Sequence, residues 1–109
     1  MLVHLELHTR DRAAARSLYT ELLGWRAATV AGSYLALDLG VVGGGIVECG
    51  TERSAWLPYV EVHDVAAFTD KARRLGAQVL LEPREGPAGW RSVVATAAGG
   101  ELAMWQSKS

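Results

Sequence analysis

The sequence predicts an α+β fold made of two tandem βαβββ modules, forming a cup-shaped mixed sheet with one helix per module. Three observations predict it. A stretch of strand-like alternation running into a capped helix occurs twice, once from Val3 and once from Pro58. Each occurrence is followed by three short stretches of strand character separated by turn residues. The letters also repeat: Asp11, Ala13, Ala14, Leu23 and Gly24 answer to Asp64, Ala66, Ala67, Leu75 and Gly76, at an offset of 53 residues that becomes 52 at the helix end. Module 1 is expected over about 1–52 and module 2 over about 55–109, within a single domain at 1–109.

The first strand, Val3 to His8, alternates strictly. Val3, Leu5 and Leu7 share one face, and His4, Glu6 and His8 share the other. In DRAAARSLYTELLG, Asp11 caps a helix, Ala14, Leu18, Leu22 and Leu23 recur near helical spacing, and Gly24 ends it. Trp25 to Val30, Tyr34 to Leu39 and Gly44 to Glu48 read as three strands. The plan then recurs as PYVEVH (strand), DVAAFTDKARRLG (helix) and the strands AQVLLEP, WRSVVAT and ELAMWQ. A ferredoxin-like plait is the competing fold, and its four strands fall short of the eight counted here. A helix on one face of each sheet leaves the other face for solvent, a ligand or a partner.

Composition narrows the function classes. Eleven basic against twelve acidic residues give a formal charge of -1, so the chain carries no electrostatic footprint for nucleic acid or an anionic membrane. No apolar run reaches bilayer length. The single cysteine, Cys49, makes no internal disulfide and reads as structural, the start of the chain lacks the pattern of a signal peptide, and the cytoplasm is the expected compartment. Gly43 to Gly45 lacks the spacing and lysine of a phosphate loop, and Ser33, Ser54 and Ser92 stand in no nucleophile-elbow context.

The open face is where chemistry is expected. His4, Glu6 and His8 project from the first strand, while Leu57, Tyr59, Glu61 and His63 occupy the corresponding face of the fifth. Ile46, Glu48 and Gly50 share a face of the fourth strand, and Glu101, Ala103 and Trp105 share one of the last. His4 and His8 lie about 13 Å apart along a strand and are not expected to chelate one ion together. A metal would need His4 with carboxylates from other strands, Glu48 first, since imidazole and carboxylate suit zinc, manganese or iron. Polar residues near strand ends that simply face water are the competing reading for all of these. Of four tryptophans, Trp25, Trp56, Trp90 and Trp105, the last is best placed to stack on a flat ligand.

These stretches, HLELHTRDRAAARSLYTELLGW, YVEVHDVAAFTDKARRLGAQVLLEP and GWRSVVATAAGGELAMWQ, resemble the vicinal oxygen chelate superfamily of glyoxalases, bleomycin-resistance proteins and dioxygenases. They are most similar to its small branch related to lactoylglutathione lyase. The motifs concerned are an Asp-started helix with a Tyr and then Leu-Gly near its end, a Val-x-Asp-Val entry to the second helix, and a Gly-rich turn before a strand ending Trp-Gln. The resemblance implies a cup usually completed by a homodimer, with four metal-ligand places at His4, Glu48, Leu57 and Ala103. Leucine and alanine offer no lone pair, so a Lewis acid is not expected unless Glu6, His8, Glu61 or Glu101 supplies a ligand.

Two functions compete. The first is metal-independent binding of a small aromatic or amphipathic molecule by His4, Glu6, His8, Glu48, Leu57, Tyr59, Glu61, Glu101, Ala103 and Trp105, with no cofactor; the near-neutral charge gives no basis for attracting a cationic drug. The alternative is an enzyme of the superfamily's lyase, isomerase or dioxygenase type. It would use His4 and Glu48 on a divalent metal, or acid–base chemistry by Glu6, His8 or Glu48. A structural subunit with no ligand is a third, weaker reading.

Overall fold

The computed structural model describes residues 1–32, 34–40, 42–51, 54–96 and 99–108, with backbone placement alone at 29–31. Ser33 and the expected module boundary near residue 52 lie outside the described residues. The chain divides into two compact units, residues 4–57 and residues 1–3 with 58–109. Among the described residues there are eight strands and two helices in the order βαβββ twice, which sets aside the ferredoxin-like alternative.

The first module comprises β1 (Leu2–Thr9), α1 (Arg12–Leu23), β2 (Arg26–Ala31), β3 (Tyr34–Asp38) and β4 (Gly43–Glu48). Its strands are ordered β2-β3-β4-β1, with β1 parallel to β4 and the other neighbours antiparallel. Asp11 caps α1 by accepting from the Ala14 amide at 3.0 Å. Gly24 ends it at φ 69°, a left-handed conformation that a side chain would strain. Leu7, Leu35, Leu37 and Ile46 form the core, against which Ala15 and Tyr19 of α1 pack. Trp25, expected to open β2, precedes it and stacks on Tyr19, with Trp56 edge-on to both, so these two tryptophans serve packing.

The second module repeats the plan with β5 (Ala55–Glu61), α2 (Val65–Arg74), β6 (Gln78–Glu85), β7 (Gly89–Ala95) and β8 (Glu101–Ser107). The strand order is β5-β8-β7-β6, and β5 runs parallel to β8. Asp64 caps α2 through the Ala67 amide at 3.1 Å. Val65, Val94 and Met104 make the core beneath α2. A buried polar contact crosses it: Thr69 Oγ1 lies 2.7 Å from Ser92 Oγ and donates to the Val65 carbonyl at 2.6 Å. Paired hydroxyls of this kind meet each other's hydrogen-bonding needs inside an apolar layer.

Among the described residues, no helix is long and apolar enough to cross a membrane.

Candidate functional site

In the first module the residues alternate as the strand period requires. Leu7 lies under α1, so His4, Glu6 and His8 occupy the open face. Register sets Glu6 beside Gly45 and Gly45 beside Ala36, while His8 pairs with Val47 and Val47 with Tyr34. Glu6 is only 8% exposed and is held between two imidazoles. His8 Nε2 donates to one carboxylate oxygen at 2.8 Å, and His4 Nε2 reaches the other at 3.3 Å. The histidines thus converge on one carboxylate. The Tyr34 ring lies over Gly45, where a Cβ would come 2.5 Å from the ring, and its hydroxyl reaches the Gly44 carbonyl at 3.4 Å. Burial, and then the negative charge of Glu6, push the Tyr34 phenol above its ordinary value.

The second module builds a different face at matching places. Tyr59, Ala103, Val93 and Leu81 pair in one row across β5, β8, β7 and β6, and Glu61, Trp105, Arg91 and Arg84 pair in the next. Arg91 Nη1 donates to the Tyr59 hydroxyl at 2.9 Å, spanning β8 above the small side chain of Ala103. Trp105 rests against Gly89. Glu101 shares the parity of Ala103 and Trp105 and is exposed at the strand's start. Sequence reasoning missed Arg91 because Val93 and Val94 are both apolar, which blurs the alternation of β7; it missed Tyr34 as well, although the alternation of YLALD carries the signal.

Three expected placements are corrected. Glu48 does not join His4: it pairs with Thr9 on the helix side, and its Oε1 accepts from the Arg12 amide, the first of α1, at 3.0 Å. Ile46 is fully buried in the core under α1, fixing the parity of β4. In the second module Gln106 Oε1 accepts from the Val65 amide at 2.9 Å, so Gln106 is the counterpart of Glu48, and both tie the first turn of a helix to the strand beside it. His63 follows the end of β5 rather than lying on its open face, and its ring meets Phe68 edge-on at 5.2 Å. It helps line a groove of about 630 Å³ with Phe68 and Gln106.

These corrections bear on any metal. The resemblance puts a ligand at Glu48, which lies on the helix side; by register the open-face position matching Ala103 is Gly45, and neither Gly45 nor Ala103 carries a donor. Each of these places is crossed by a neighbour, the Tyr34 ring in one module and the Arg91–Tyr59 bond in the other. Among the described residues no group of three His, Cys, Asp or Glu is arranged to hold an ion. Of the four implied places only His4 keeps a donor on an open face, and the residues do not fit the metal.

Tandem βαβββ modules, each with a helix on one sheet face, define the glyoxalase/bleomycin-resistance fold. It is shared with a glyoxalase/bleomycin resistance protein/dioxygenase superfamily member from Vibrio splendidus 12B01 (TM-score 0.72, 16% identity, 98% of each chain). A variant of Streptomyces coelicolor methylmalonyl-CoA epimerase in complex with 2-nitronate-propionyl-CoA is also similar (TM-score 0.68, 17% identity, 99% of this chain and 97% of that one). In sequence, the chain is 29% identical over 115 residues to "Putative glyoxylase CFP32" of Mycobacterium tuberculosis and to its namesake in Mycobacterium bovis, covering 94% of this chain and 44% of each relative. It therefore spans less than half the length of these curated relatives. No protein-family model matches the chain. Together the sequence match and the shared fold support the vicinal oxygen chelate superfamily for this protein.

Proposed function

We propose that this glyoxalase-like protein binds a small aromatic or amphipathic molecule on its open sheet faces, without a metal. The observation that carries the reading is the donor set: Gly45 and Ala103 stand at the last-strand places, bridged over by Tyr34 and by Arg91 with Tyr59, and Trp105 lies alongside. A face that mixes aromatic rings with a few polar groups suits such a ligand. Elemental analysis of the purified protein, together with calorimetric titration of aromatic ligands with and without chelator, tests this. Binding is expected to survive chelation. A near-stoichiometric metal that disappears in His4→Ala would overturn the reading.

A second reading has its own observation, the Glu6 carboxylate held by two imidazoles on an open face. Such a group can take up a proton from a bound carbon acid while a neighbouring imidazole returns one. Exchange of solvent deuterium into a panel of ketones and thioesters, abolished by Glu6→Gln, would favour it.

The reading extends to a cytoplasmic homodimer. On α1, Leu18 and Leu22 are 53% and 67% exposed, and Ala14 continues their ridge. An antiparallel two-fold contact centred on Leu18 would set small Ala14 of one copy against large Leu22 of the other, the size match that helix ridges need. Sedimentation should then give a dimer that Leu18→Glu converts to a monomer; a wild-type monomer would count against the contact.

A further inference from the structure

We propose that the outer row of the second module's open face, Arg84–Arg91–Trp105–Glu61, is a binding site for a small aromatic carboxylate. The inference rests on the small-molecule reading above and names the ligand's chemistry.

The face is graded in exposure. In the inner row Tyr59, Val93 and Ala103 are 6%, 9% and 0% exposed, whereas in the outer row Arg91 and Trp105 are half-buried and Arg84 and Glu61 are exposed. A molecule reaching the face therefore meets the outer row. There, two arginines are paired across β6 and β7, Arg84 beside Arg91. Among the described residues neither has a carboxylate within ion-pair distance, and the bond Arg91 makes is to the neutral hydroxyl of Tyr59. This is not for want of acids nearby, since Arg73 of the same module holds both oxygens of Glu82 and Lys108 pairs with Glu85.

A guanidinium has five N–H donors, so Arg91 keeps most of its fork for a ligand while Tyr59 fixes its direction. Half-burial strengthens its pull on an anion relative to a fully solvated arginine. The next residue in the row is Trp105, whose ring is held against Gly89 and gives a set surface for stacking. Glu61 lies beyond it, opposite Trp105, and repels a carboxylate from that end. The order cation, indole, carboxylate therefore orients a ligand with its ring over Trp105 and its carboxylate on Arg91.

The test is calorimetric titration of the full chain with 1-naphthoate, 1-naphthylmethanol and 1-naphthylmethylammonium. Naphthoate should bind about tenfold or more tightly than the alcohol, as a charge-assisted pair implies, and the ammonium more weakly than either. Arg91→Gln, which removes the guanidinium, should erase the preference for naphthoate over the alcohol; Arg91→Lys, which keeps a cation, should restore part of it. Arg84→Gln, at an exposed position, gives a smaller loss and serves if Arg91 variants fold poorly. Equal binding of naphthoate and alcohol, or a preference that survives Arg91→Gln, overturns the carboxylate site while leaving small-molecule binding in place. Failure of all three compounds to bind overturns both.

Discussion

The two modules use one device with opposite chemistry. In the first, Tyr34 reaches from β3 over Gly45 of β4 into the field of the Glu6 carboxylate on β1. In the second, Arg91 reaches from β7 over Ala103 of β8 to the Tyr59 phenol on β5. Residue for residue the register is the same, so a duplicated backbone carries an imidazole–carboxylate face in one copy and a guanidinium–aromatic face in the other. Duplication conserves which positions face each other, while the chemistry at those positions is free to diverge because open-face side chains are not constrained by the core beneath the helix.

The core offers the largest test of that equivalence. Ile46 and Met104 occupy matching places under α1 and α2, at 0% and 5% exposure. Thermal or denaturant unfolding of Ile46→Ala should show a loss of about 3–4 kcal/mol, with Met104→Ala toward the lower end of the 2–5 kcal/mol range for such truncations. A negligible cost at either site would break the match between modules.

A glycine pair comes next. A Cβ at Gly89 would collide with the Gln106 backbone carbonyl, which its strand cannot move aside, so Gly89→Ala should cost about 3 kcal/mol. At Gly45 the obstacle is the Tyr34 ring, the end of a side chain that can rotate away, and Gly45→Ala should cost only about 1 kcal/mol while displacing the ring. Equal costs would mean that the two faces are equally rigid.

The helix ties sharpen the comparison further. Since Gln106 does in one module what Glu48 does in the other, Glu48→Gln should preserve the bond to the Arg12 amide and change stability by a few tenths of a kcal/mol, whereas Glu48→Ala should lose about 1 kcal/mol. Neither should alter ligand affinity. A large affinity loss in Glu48→Gln would return Glu48 to the site.

The smallest effect is a titration. Because the folded chain raises the Tyr34 phenol above 10.0, the unfolded chain loses this proton first as pH rises. Stability should therefore fall from about pH 10 up through the folded phenol's own value, since the unfolded state binds fewer protons there. Ultraviolet titration of the phenolate should place Tyr34 above an ordinary tyrosine, and Glu6→Gln should bring it part of the way back, because burial remains the larger cause.

Much of this was legible in the letters. The strict alternation of β1 placed His4, Glu6 and His8 on one face, and the repeated Asp and Leu-Gly marks placed both helices. Glu48 was misplaced because GGGIVE has an apolar residue on each side, Ile46 and Val47, so its own pattern fits either parity. Only pairing with β1 and β3 settles which of them lies under the helix, and a one-residue slip reverses every side chain in such a strand. Arg91 was hidden for the same reason beside Val93 and Val94.

By itself, then, the sequence determined the order of elements, the duplication and the face of the first strand, because capping, turn residues and period-two alternation are local properties of the chain. Only the tertiary structure decided that Glu48 serves a helix, that two histidines meet on Glu6, and that Arg91 and Tyr59 join above Ala103. The first and last of these join residues distant in sequence, through strand register and reach across the sheet, and the second is a choice of side-chain rotamer along one strand; none is set by the spacing of letters alone.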